Sequence, residues 1–215
     1  MIDVTSKILA SLFNTEDFES LKEIVIDRLH RSDTKITQHP LGFFHCRLYL
    51  DESTGTQLRL HYWQRDQLGK GSALTPFHDH VWRLSSCVLL GEIRNHLVRI
   101  IEDPSGSYTL ETVHQEREAG RDSVGTGGPK VSFVVEHSEN VGEGIFYRIE
   151  PRQFHFSDLG NCDVAISVVL SEPGVPGNPR TLMPLGSAPH APTREALHQG
   201  ETIAKRILRL LGDDD

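Results

Sequence analysis

Cysteine is scarce in this chain of 215 residues. Cys46, Cys87 and Cys162 are the three present, and no two form a CxxC pair. A sparse, odd set gives no disulfide framework, so a reducing compartment is the expectation. Long apolar runs are missing too: nothing approaches the ~20 residues that a membrane span needs. Basic side chains do not dominate. The formal charge is −8, and no Lys/Arg cluster offers a nucleic-acid footprint. The opening stretch MIDVTSKILASLFNTEDFES has a short apolar patch, acids close behind it and no small-residue cleavage site. It does not read as a secretory signal. The expectation is a cytoplasmic protein that engages neither nucleic acid nor membrane, with its oligomeric state open between monomer and dimer.

What is present suits one soluble globular domain: 37% hydrophobic and 24% charged residues, in a chain long enough to bury a core. Twelve histidines are the compositional oddity. Residues 3–31 carry two apolar stripes at helical spacing, Ile8, Leu9, Leu12 and Phe13, then Phe18, Leu21, Val25 and Leu29. Asn14 or Thr15 is the candidate cap between them. From about residue 40 the pattern changes to short alternating runs separated by turns: 42–50, 56–63, RLSSCVLL and IRNHLVRII split at Gly91, SYTLETVHQE, 131–137, 144–156 and 163–173. Such spacing predicts an antiparallel β-sandwich or barrel. AGRDSVGTGGPK (119–130) reads as a flexible loop. Residues 172–192 hold six of the eleven prolines and read as a linker or an arm lying on the barrel. Residues 193–211 read as a helix capped by Thr193 and stopped at Gly212, followed by an acidic tail. The expected division is 1–36 helical, 37–173 barrel, 174–192 arm, and 193–215 helix and tail, all in one domain.

The chemistry concentrates in TPFHDHVWRLSSCVLLGE (75–92). In an extended segment, residues i and i+2 share a face, so His78 and His80 aim their rings into one space. Two such imidazoles repel when protonated and are costly to bury when unbonded. A divalent ion answers both problems. The competing reading is two half-exposed histidines at a loop end. A second piece is GEGIFYRIEPRQFHF (142–156), where Pro151 re-aims the chain so that His155 can face back.

HxH on one strand, followed later by Gly-strand-Pro-xxx-His, resembles the two-motif pattern of cupins. The resemblance implies an all-β core, a cupin-type antiparallel β-barrel (jelly roll) with N-terminal helices and a C-terminal helix, and a metal in its mouth held by His78, His80 and His155. The usual cupin Glu after the second histidine is absent. No acid follows His80 until Glu92, and Asp79 alternates to the opposite face. Within the cupins, three histidines without that Glu resemble thiol dioxygenases of the cysteine dioxygenase type. FHCRLYLDESTGTQLRLHYW is similar to the segment in which that family begins a strand with Arg and ends the next with Trp. The likeness spans roughly 43–171. It implies Fe(II) as cofactor, with Zn, Ni or Mn acceptable to the same ligands, O2 as co-substrate, and Arg47 as the group that holds a substrate carboxylate.

Two departures bear on the reaction. Where the family carries Ser-x-His-x-Tyr, the last barrel strand AISVVLSEP aligns Ile166, Val168 and Leu170 beside the metal, all apolar. The family's metal-side cysteine has no clear counterpart: Ser85 has the distance from His80, and Cys87 has the residue type. Three neutral nitrogens leave up to three coordination positions open and a site charge of 2+, which favours an anionic substrate group. Arg47 would clamp a carboxylate. The bland alternative is a surface arginine opposite Leu48 and Leu50, with Arg59 and Arg83 as rivals. His45 and His61 are candidate proton carriers near the mouth. QLRLHYW puts Gln57, Arg59 and His61 on one face, read as solvent-facing. Trp63 and Trp82 read as packing residues that could also wall a cavity. His96, His114, His137, His190 and His198 have no evident role. The function expected is a mononuclear iron dioxygenase of a small thiol or amino-acid-like metabolite. The alternatives are an iron cupin doing other oxidative chemistry and a non-catalytic metal- or ligand-binding cupin. Residues 3–31 are too short to be a DNA-binding module of a sensor.

Overall fold

Strand alternation decides the architecture. In β2 (Phe44–Asp51) and β3 (Thr56–Gln64), Phe44, Cys46 and Leu48 share a face with Leu58, Leu60 and Tyr62. That face packs on helices rather than on a second sheet. The computed structural model describes residues 4–31, 34–71, 73–116, 121–189, 191–192 and 200–213.

Two six-stranded sheets form, and every pairing is antiparallel. The first runs β1 (Ile36–Gln38), β2, β3, β11 (Val164–Glu172), β4 (Arg83–Leu90), β9 (Phe146–Ile149). The second runs β10 (His155–Leu159), β5 (Glu92–Glu102), β8 (Lys130–Gly142), β6 (Tyr108–Glu116), β12 (Arg180–Pro184), with β7 (Arg121–Val124) paired to β6. The expected all-β core is present as a cupin-like sandwich with helices added. The named strands do not close into the expected barrel. Trp63, Val88 and Ala165 from the first sheet, with Phe43 just before β2, meet Ile93, Val141 and Leu159 from the second and form the core between the layers.

Behind the first sheet, α1 (Ser6–Thr15), α2 (Phe18–Leu29) and α3 (Gly200–Leu210) contribute Leu9, Phe13, Leu21, Ile24, Ile207 and Leu208 to a second core. The break between α1 and α2 is set by Glu16, in the left-handed region at φ 54°, and by Asp17, whose Oδ1 accepts from Ser20 N at 3.1 Å. Asp17 is therefore the cap, in place of Asn14 or Thr15. Thr15 bonds back to Ser11 O, and Asn14 accepts from Arg148. For α3, the expected cap Thr193 and the apolar Leu197 lie outside the described residues, as do His190 and His198.

Three stretches differ from expectation. The presumed flexible loop contains β7. The strand expected over 131–137 runs to Gly142. The proline-rich arm contributes β12, which pairs with Tyr108–Thr112 of β6. Prolines at 179 and 184 sit at the ends of this strand without breaking its ladder with β6. Gly91 marks the corner where the chain leaves the first sheet for the second. Its φ is 77°, and a Cβ there would lie 2.4 Å from Val164 O, so only glycine fits.

Candidate metal centre

The HxH segment lies between two strands of the second sheet. His78 N donates to His155 O (3.1 Å), and His155 N returns a bond to His78 O (2.9 Å). On the other side Asp79 N donates to Arg180 O at 2.9 Å, and His78 bridges to Thr181 of β12. The segment is therefore held extended, which is the condition under which His78 and His80 share a face. His155 arrives by the turn after β9. Gln153 N bonds Glu150 O at 3.1 Å, Arg152 takes φ 68°, and β10 then starts in the opposite sheet.

The three rings converge. Their centroids are 4.7 Å (His78–His80), 4.6 Å (His78–His155) and 5.1 Å (His80–His155) apart. One ligand atom from each ring lies within 4.8 Å of the others. Among the described residues no other cluster of three or more His, Cys, Asp or Glu has this arrangement.

The donors also suit an ion chemically. His78 Nδ1 lies 2.7 Å from Pro76 O, and His155 Nδ1 lies 3.0 Å from Gln153 O. A carbonyl can only accept, so in both rings Nδ1 carries the proton and Nε2 keeps its lone pair. Burial pushes His155 down to about 3, helped by the charge of His78. Burial also lowers His78. His80 is held well below the usual imidazole range by burial first, then by His78, His155, Arg59 and His39. All three are thus neutral near pH 7, the form that binds a metal.

Asp79 does not join them. It is fully buried and turned into β12: Arg180 donates to it through its backbone N (2.6 Å) and Nε (2.8 Å), and Arg152 lies 3.7 Å away. It positions the segment and is no ligand.

A cleft of about 130 Å3 opens on His78 and His80 and is also lined by Arg59, Trp82, His39 and Thr181. Trp82 stacks on His80 (5.1 Å, 25°), and the Arg59 guanidinium sits 5.4 Å from the Trp82 ring. Of the arginines expected to meet a substrate, Arg59 is the one that lines the cleft; Arg180 lines it too, with its guanidinium on Asp79. Arg47, paired in register with Arg59, is exposed and outside the lining. Arg83 pairs with Glu150 at 3.2 Å. His45 and His61 face each other across β2 and β3 with ring centroids 5.7 Å apart, and neither lines the cleft. His39, which no sequence pattern singled out, does line it. Its ring stacks on Phe43 (4.2 Å, 9°), and its Nδ1 accepts from Leu41 N at 3.2 Å.

The alignment of β11 needs correcting. Ile166, Val168 and Leu170 point into the helix-backed core, as does Cys87. Burial there pushes the Cys87 thiol up to about 12. Ala165, Ser167 and Val169 face the other way, and Ser167 Oγ accepts from Trp63 Nε1 at 3.2 Å. No phenol comes from β11. A tyrosine on that side is Tyr147 of β9, its phenol raised above the usual range by burial.

No protein-family model matches the chain, and no curated protein sequence does. Solved structures with partial likeness include Fe(II) HppE, at 11% identity and a TM-score of 0.34 over 60% of this chain. This chain spans 49% of that one. The polyketide cyclase RemF from Streptomyces resistomycificus matches at 20% identity and a TM-score of 0.39, over 74% of this chain and 84% of its own. A hypothetical protein from Leishmania major matches at 14% and 0.37, over 72% and 82%. No helix among the described residues is long and apolar enough to cross a membrane.

Proposed function

We propose that the chain is a mononuclear non-haem iron enzyme that oxidises a small anionic metabolite with O2. The observation that carries this reading is the convergence of three neutral imidazoles, two with Nδ1 tied to backbone carbonyls, at a cleft that also holds a guanidinium. His78, His80 and His155 would hold Fe(II). If bound, Fe(II) would bring dioxygen and substrate together and relay electrons from the substrate, which is the net reductant, to dioxygen.

The protein's own part is positioning. The carbonyls of Pro76 and Gln153 fix the rings of His78 and His155, and Asp79 anchors the segment that carries His78 and His80. Arg59 is placed to pair with a carboxylate, while Trp82 walls the site and keeps Arg59 and His80 in one stack. The net charge of three neutral ligands, a divalent ion and Arg59 selects for a substrate anion, thiolate or carboxylate.

Oxidation of a substrate other than cysteine is favoured by one specific feature. The inward positions of β11 are Ala165, Ser167 and Val169, so this strand brings no phenol toward the cleft. The test is anaerobic loading with Fe(II), then oxygen uptake against a panel of thiols and carboxylic acids. Uptake that requires both iron and an anionic substrate supports the enzyme. Stoichiometric metal with no uptake for any member leaves a metal- or ligand-binding cupin.

A further inference from the structure

The three imidazoles come from two stretches of chain, and the proline-rich arm lies across both. Val175 N of the arm donates to Val81 O at 2.7 Å, one residue beyond His80. At Gly174 a Cβ would lie 2.2 Å from Val81 O and 2.9 Å from Pro151 Cγ. The arm can come this close to both stretches only with glycine there.

One residue joins all three. Arg152 N donates to His80 O at 2.7 Å. Its guanidinium donates from Nη2 to Pro176 O (2.9 Å) and from Nη1 to Asn178 O (2.7 Å), and Nη1 lies 3.7 Å from Asp79 Oδ2. Gly177, at φ 108°, leaves the room that the guanidinium fills: a Cβ there would stand 2.5 Å from Nη2. Arg152 itself takes φ 68°, and Glu16 is the other non-glycine residue with positive φ among the described residues. Glu16 ends a helix, where that conformation is ordinary. Arg152 ends none, and strain of this kind persists only where the surroundings enforce it.

These contacts act on the ligand that the other devices leave aside. The rings of His78 and His155 are oriented through Nδ1 by the carbonyls of Pro76 and Gln153. His80 is reached through Trp82, stacked on its ring, and through Arg152, on its carbonyl. Resting on the three-imidazole reading above, we infer that Arg152 is a positioning residue for the metal site. It ties the turn that delivers His155 to the segment that carries His80, and its two bonds to the arm make the arm a strap over both. Ordering of the strap and occupation of the site are thereby coupled, and such coupling is reciprocal.

The test titrates the full, metal-free chain with Co(II), whose visible bands report coordination geometry. Amide hydrogen exchange over residues 174–178 is followed with and without the ion. Arg152→Gly suits the backbone at φ 68°, keeps the N–H on His80 O and removes the guanidinium. It is expected to weaken Co(II) binding at least about tenfold, to change the bands, and to abolish the slowing of strap exchange that Co(II) brings in the wild type. Arg152→Lys keeps the charge beside Asp79 without the planar fork and is expected to recover part of the affinity. Leu9→Ala controls for general loss of stability and is expected to leave affinity, bands and exchange coupling unchanged. Wild-type affinity and bands in Arg152→Gly, or a weakening that Leu9→Ala reproduces, overturns the inference and leaves the metal site standing. If Arg152→Gly does not fold, Arg152→Lys decides: weaker binding with altered bands supports the inference, and wild-type values overturn it. Failure of the wild type to take up Co(II) overturns both readings.

Discussion

The two faces of the first sheet are built from the same strands and carry opposite contents. The face under the helices holds Cys46, Leu60, Cys87, Ile166 and Leu170, all buried and apolar. The face toward the second sheet carries His45, Arg59, His61, Ser86 and Ser167 among its apolar neighbours. A period of two residues lets one strand serve both. The helix-backed face supplies stability by hydrocarbon burial. The inner face accepts polar groups that cost stability and are kept in place by specific partners, as Ser167 is by Trp63.

The comparison is broken most severely at the ligands. His155→Ala is expected to take metal content from one ion per chain to near zero while the metal-free protein melts no lower at pH 6, because a buried imidazole that resists protonation is removed. Metal analysis and thermal melts check both halves. Leu9→Ala, on the helix side, is expected to do the reverse: a loss of about 3 kcal/mol in denaturant unfolding with metal stoichiometry kept. Asp79→Asn lies between the two. It is fully buried, but Arg180 and Arg152 are about a third exposed, so solvent screens part of the loss. The expected cost is about 2 kcal/mol, with weaker metal affinity because the HxH segment loses its anchor to β12.

The most gradual effect is that of pH. The folded-state imidazoles are depressed, so below about 6.5 the unfolded chain takes up protons that the folded one does not. Metal-free stability is therefore full above that pH and declines as pH falls toward about 3 for His155. His155 contributes at most about 1.4 kcal/mol per pH unit. Melts across pH 7.5 to 5 should show the decline, and His155→Ala should flatten it.

The three-histidine cluster was legible because both of its signals are local. HxH needs only an extended segment, and Pro-xxx-His needs only a turn. The guanidinium was not. QLRLHYW showed that Gln57, Arg59 and His61 share a face, but only the helices packed on the opposite face decide that Arg59 and His61 turn inward. The same ambiguity placed Ile166, Val168 and Leu170 on the side of the three histidines, since a shift of one residue exchanges the faces of a strand. β12 was hidden by its prolines, and with it Arg180, the partner that anchors Asp79. The capping error came from reading Asn14 and Thr15 as the helix start, when the left-handed Glu16 moves the boundary to Asp17.

The central claim is that one ion would be held among the three imidazoles, by Nε2 of His78 and His155 and by a ring nitrogen of His80. Crystals grown with Fe(II) under anaerobic conditions, measured on both sides of the iron absorption edge, locate it directly. A single anomalous peak within bonding distance of the rings of His78, His80 and His155 is the expected result. A peak elsewhere, or none beside these rings at full iron occupancy in solution, would contradict it.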